Sequence, residues 1–136
     1  MNILVLDGQG GQLGALLVKE ITRNFPAAAI TAIGTNAVAT SAMLKAGAGS
    51  AATGENPVVV ACRKADVIIG PIGIVIADSL LGEVTEKMAL AIARADAVRI
   101  LIPMNRCDNL VAGVPNLNTN ALIADAMVKL RHVIDG

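Results

Sequence analysis

The sequence predicts an α/β fold, and three observations predict it. Short β-branched runs alternate with stretches of helical periodicity, the pattern of strands joined through helices. The first run, Ile3 to Leu6, is apolar without interruption, as a central parallel strand buried on both faces must be. A glycine turn, Gly8 to Gly14, joins that run to an amphipathic stretch. We therefore expect a three-layer Rossmann-like domain with a mostly parallel sheet. With 136 residues the chain reads as one domain, 1–136.

Leu13, Leu17, Ile21 and Phe25 recur every four residues with Lys19, Glu20 and Arg23 between them, and Pro26 stands just past the end. That is a helix with one apolar face. Ala29 to Ile33 is the second strand, and Thr35 or Asn36 caps a second helix that ends near Gly47. Its single charge is Lys45, so we expect another surface to cover it. Ala48 to Thr53 is a strand of small residues. Asn56-Pro57 marks a helix start, with Val58, Ala61, Cys62 and Ala65 on its inner face.

Asp66 to Ile69 is the fourth strand and Gly70-Pro71-Ile72-Gly73 a turn. A helix is expected over Ile74 to Leu81. Thr85 caps the next one, with Met88, Ala91 and Ile92 inward. Ala97 to Ile102 is the fifth strand. The run Leu110 to Val114 follows too closely for a parallel crossover, so a last strand there would pair antiparallel or lie apart. Leu122, Ile123, Ala126, Met127 and Leu130 form the face of a C-terminal helix.

Composition excludes several function classes. Eleven Lys+Arg balance eleven Asp+Glu, so bulk charge recruits neither nucleic acid nor an anionic membrane. Aromatics are 1% of the chain, which leaves no platform for stacking single-stranded bases. The most apolar stretch, Val67 to Ala77, is bounded by Asp66 and Asp78, broken by Gly70, Pro71 and Gly73, and falls short of a membrane span. The N-terminus has no signal-peptide pattern, and we expect a cytoplasmic protein. Cys62 and Cys107 form no C-x-x-C, so neither zinc nor a disulfide framework is supported, and no metal site is expected. Charged residues are only 16% against 54% hydrophobic, which points to surface buried in a homo-oligomer, a dimer or larger.

Ligands of open parallel sheets bind at the carboxyl ends of the strands. Those ends here carry Asp7-Gly8-Gln9-Gly10-Gly11, with Gly14 beyond; Thr35-Asn36; Gly54-Glu55-Asn56; Gly70-Pro71 with Gly73; and Asn105-Arg106-Cys107. Gly8, Gly11 and Gly14 form G-x-x-G-x-x-G between strand and helix. That pattern either brings N–H groups and a helix dipole to a phosphate or only lets the helix pack on the sheet. The Walker lysine is missing, so this is no P-loop. A dinucleotide site needs an acid near the end of the second strand for the ribose. Thr35 and Asn36 stand there instead, as polar contacts or as helix caps. Arg106 could clamp an anion in a planar fork, and Cys107 beside it is either a nucleophile or a half-buried turn residue. Asp78 reads as a surface carboxylate and His132 as a surface histidine.

The segments Asp7-Gly8-Gln9-Gly10-Gly11, Gly34-Thr35-Asn36, Ala39 through Ala48, Ala52-Thr53-Gly54-Glu55-Asn56, Ile69 through Gly73 and Asn105-Arg106-Cys107 resemble, together, a small bacterial family known as domain of unknown function 3842. The resemblance spans nearly the whole chain. It implies a short, stand-alone bacterial cytoplasmic protein and carries over no catalytic residues. Gln12 departs from the glycine expected at that place, which makes the turn less permissive.

The function expected from all this is binding of a nucleotide, NAD(P)-like, or of another phosphorylated small molecule at the glycine loop. Two alternatives stand beside it. One is a small enzyme acting on a phosphorylated or carboxylated metabolite, with Arg106 as anion holder and Asp7, Glu55 or Cys107 as acid, base or nucleophile. The other is a non-catalytic oligomeric sensor or scaffold.

Overall fold

The N-terminal apolar run forms β1 (Asn2–Asp7), with every residue from Ile3 to Asp7 buried. It lies at the centre of a five-stranded sheet in a computed structural model that describes residues 1–104 and 109–136. The neighbours are β2 (Ala29–Gly34), β3 (Ser50–Thr53), β4 (Val67–Pro71) and β5 (Val98–Ile102), in the order β3-β2-β1-β4-β5. All four strand pairings are parallel. The α/β, Rossmann-like expectation is therefore met.

Alternation along β1 sends Ile3 and Val5 to one face and Leu4 and Leu6 to the other. The first face is covered by α1 (Gln12–Asn24), α2 (Ala37–Lys45) and α5 (Thr119–Asp135). Leu17, Ile21, Met43, Ile123 and Leu130 fill that layer. The second face is covered by α3 (Glu55–Cys62) and α4 (Glu86–Arg94), through Val58, Cys62, Met88 and Ile92. With hardly an aromatic available, both cores are aliphatic. The chain runs β1 to β2 to β3 toward one edge and then returns to place β4 on the other side of β1. The direction of travel reverses between β1 and β4, and such a reversal opens a crevice at the carboxyl ends of those two strands.

Several expectations need correction. No α-helix covers Ile74 to Leu81. A single 3-10 turn spans Ile72–Val75, and tight turns follow. Successive β-branched residues oppose a helix there, and Asp78, Leu80, Leu81 and Gly82 all take positive φ. The segment closes on itself when the Asp78 N–H donates to the Val84 carbonyl at 2.7 Å.

Helix α3 starts at Glu55 with Gly54 in the cap position, not at an Asn56 cap. Pro57 then falls in the first turn, where a missing N–H costs nothing. Leu110 to Val114 forms no strand. Leu110 is 95% exposed, and the Val114 N–H donates to the Val111 carbonyl in a turn. On α4 the inward alanine is Ala89, with Ala91 only half-buried, because the helix packs through Met88, Ala89 and Ile92. Helix α2 buries Ala39 and Met43 but leaves Val38 and Leu44 exposed on this chain.

Candidate functional site

Asp7 is the last residue of β1, and its carboxylate is one of two buried polar side chains among the described residues. It turns back under the start of α1. Oδ1 accepts from the Gly8 N–H at 2.8 Å and Oδ2 from the Gly14 N–H at 2.7 Å. The loop thus supplies its own anion to two of its backbone donors. Burial pushes the Asp7 carboxyl above its ordinary value against the pull of the Gly14 and Gly8 N–H groups, and the charge of Glu83 adds to the rise.

Two glycines of the motif are explained by packing. Gly11 sits at φ +73°, and a Cβ there would lie 2.6 Å from the Cα of Ala39, so α1 and α2 approach backbone to backbone. A Cβ at Gly14 would lie 2.6 Å from the Met43 sulfur and 2.8 Å from the Asp7 Cβ. Gly10 is different: a Cβ there would meet nothing within 4 Å. The N–H groups of Gly10, Gln12 and Leu13 have no acceptor among the described residues, and Gly10 and Gln12 are exposed. The exposed positions of this stretch are Gly10 and Gln12, while Gly11 and Leu13 are buried and the Gly11 N–H donates to the Gly8 carbonyl at 2.9 Å.

Thr35 and Asn36 leave the end of β2 beside this loop. Asn36 is the α2 cap, its Oδ1 accepting from the Ala39 N–H at 2.9 Å. Its Nδ2 donates to the Gln9 carbonyl at 2.9 Å, tying the second loop to the first. Gly70 and Pro71 end β4 next to β1, and Gly73 lies in the 3-10 turn, its carbonyl accepting from Ser79 Oγ. Gly54, Glu55 and Asn56 sit at the end of β3, two strands away. Glu55 joins the neighbourhood through the α4 cap, accepting from Thr85 Oγ1 at 2.6 Å. Asp78 and His132 are exposed, as expected. Asn105, Arg106 and Cys107 lie outside the described residues.

Sequence reasoning missed Glu83. Its Oε1 accepts from the Gln9 N–H at 2.9 Å, Thr35 Oγ1 at 2.6 Å and Asn36 Nδ2 at 2.7 Å. Partial burial pushes its carboxyl up, but the bonds from Thr35, Gln9 and Asn36 outweigh that and hold it below the ordinary value. The signal available was an acid two residues ahead of the Thr85 cap. A helix expected to end at Leu81 gave it no direction. The site thus brings together Asp7, Gln9, Gly10, Thr35, Asn36 and Glu83, with two carboxylates and a row of open N–H groups. Among the described residues no group of three or more His, Cys, Asp or Glu side chains is placed to hold a metal.

A family described as a domain of unknown function (DUF3842) matches residues 2–135. The chain belongs to this family. The match spans the whole of the fold described above. No curated protein matches the chain. Among solved structures it is similar to a dodecameric FMN-dependent UbiX-like decarboxylase from Escherichia coli O157:H7. The identity is 15%, covering 98% of this chain and 76% of that one, with a TM-score of 0.46. Among the described residues no helix is long and apolar enough to cross a membrane.

Proposed function

We propose that this chain binds a nucleotide, NAD(P)-like, or another phosphorylated small molecule at the carboxyl edge of the sheet, over Gly10 to Leu13. One observation carries the reading. Three backbone N–H groups at the start of α1 are unpartnered beside the β1/β4 reversal, with open space at Gly10. Unused donors at the positive end of a helix suit a phosphate. Asn36 and Thr35 flank the same loop and suit the polar groups of a nucleoside. The reading includes self-association through α2, where Val38 and Leu44 are exposed.

Native mass spectrometry of freshly purified protein, followed by a thermal-shift panel of nucleotides, tests both parts. The expected result is a mass of two or more subunits, with a nucleotide retained or a shift in the panel. A ligand at ten times its Kd adds about 1.4 kcal/mol of stability. Gly10→Asp places a negative charge in open space and should abolish the shift without unfolding the protein. A panel with no shift leaves the glycine loop as a packing device, and a single-subunit mass removes the α2 interface.

A further inference from the structure

The segment from Ile76 to Val84 lies against the glycine loop. A Cβ at Gly8 would come within 2.9 Å of both Glu83 Oε1 and Leu80 Cδ1. Three donors from two different strand-end loops, Gln9 N–H, Thr35 Oγ1 and Asn36 Nδ2, converge on the single oxygen Oε1 of Glu83. Convergent donors of this kind form a receptor for an oxyanion, and the occupant here is a carboxylate of the chain itself.

We propose that Glu83 is an internal anion latched into this receptor, and that an anionic group of a ligand displaces it. The inference rests on the reading of the glycine loop as a phosphate site and adds its regulation.

Three features favour a latch over a permanent strut. Leu81 holds positive φ without being glycine, so the tip that moves is backbone-strained when closed. Neither Asp7 nor Glu83 has an ion pair among the described residues, and the Glu83 charge helps hold the Asp7 carboxyl above its ordinary value. The tip is tied to its anchors by two backbone bonds, from the Gly82 N–H to the Asp78 carbonyl and from the Glu83 N–H to the Leu80 carbonyl, both at 3.1 Å. Leu80 and Val84 are buried in the core, whereas Leu81 is 94% exposed and Gly82 has nothing near its Cα face. Movement of Leu81 to Glu83 frees the receptor while Leu80 and Val84 stay packed. A phosphate resting on Gly10 to Leu13 then gains Gln9, Thr35 and Asn36 as further donors.

The test is calorimetric titration of wild type, Glu83→Gln and Gly82→Ala with ADP and with inorganic pyrophosphate. Glu83→Gln removes the competing charge. Gly82→Ala strains the closed tip at φ +85° and leaves every donor and carboxylate in place. Glu83→Gln is expected to bind at least one probe tenfold or more tighter than wild type, and Gly82→Ala severalfold tighter. Hydrogen exchange should show the Gln9 amide protected less in Glu83→Gln before ligand is added, and protected again once it binds. Binding to wild type that is unchanged or weakened in both variants overturns the latch and leaves the phosphate site standing. No binding of either probe to any of the three proteins overturns the latch and the phosphate reading together.

Discussion

The turn after β1 and the turn after β4 leave adjacent strands at one edge of the sheet, yet they reverse the chain by different means. The first takes positive φ at Gln9 and, where α2 presses against the chain, at a glycine, Gly11 with φ +73°. The second takes positive φ at Asp78, Leu80 and Leu81, where a side chain opposes the conformation. The first satisfies two of its donors locally, with Asp7 bonded to Gly8 and Gly14. The second sends Glu83 across to Gln9, Thr35 and Asn36. The first turn is pinned on several sides, by its own Asp7, by α2 against Gly11 and by Asn36 and Glu83 on Gln9. The second closes on itself from Asp78 to Val84 and reaches the rest of the edge through Glu83, with its tip exposed at Leu81, and this is where a conformational step belongs.

The comparison can be broken first at Gly11. Gly11→Val combines a left-handed β-branched residue with a backbone clash, and should cost about 3 kcal/mol or more, read as a lower urea midpoint. A variant as stable as wild type would show that the first turn is no more constrained than the second. Next is Asp7. Asp7→Ala leaves two buried N–H groups without their acceptor and should cost about 2 kcal/mol.

The pH dependence of the two carboxylates should run in opposite senses. Asp7 has a raised folded pKa, so its protonated form favours folding. That contribution is full below the ordinary value of 3.8 and is lost as pH climbs through the raised one. Glu83 has a lowered folded pKa. Its contribution is present above the ordinary value of 4.5 and is lost as pH falls through the lowered one. Relative to wild type, Asp7→Asn should therefore gain stability as pH rises above 3.8, and Glu83→Gln should lose it as pH rises toward 4.5. Parallel slopes in urea unfolding across pH 3 to 7, roughly the carboxylate range, would erase the distinction between the two groups.

The smallest effect is expected where the second turn meets α3. Glu55→Gln weakens the bond from Thr85 and should cost about 0.5–1 kcal/mol, with the midpoint shift as readout. A cost as large as that of Asp7→Ala would mean that Glu55, not Glu83, anchors the segment after β4.

Much of the first turn was legible in the residues. An uninterrupted apolar run, three glycines at fixed spacing and an apolar face repeating every four residues describe β1, the loop and α1, because each signal is local. The cap at Asn36 was legible for the same reason, its side chain bonding a backbone group three residues on. The second turn was not. Ile74 to Leu81 is an apolar run of helical length, but its successive β-branched residues disfavour a helix, and the closure from Asp78 to Val84 with the burial of Leu80 in the core sets turns instead. Leu110 to Val114 misled similarly, since an apolar run reads as a strand whether or not an edge receives it. Glu83 was invisible because its partners lie 47 to 74 residues away.

By itself the sequence determined the class of fold, the family, the aliphatic core and the place of the glycine loop. These follow from periodicity and turn chemistry, which act over a few residues. Only the tertiary structure decided the roles within that loop. It assigned Gly11 and Gly14 to helix packing, left Gly10 open, buried Asp7 and set Glu83 on the donors of two other loops. Those outcomes depend on where β2 and β4 bring their ends relative to β1, and such distances exist only once the sheet has formed.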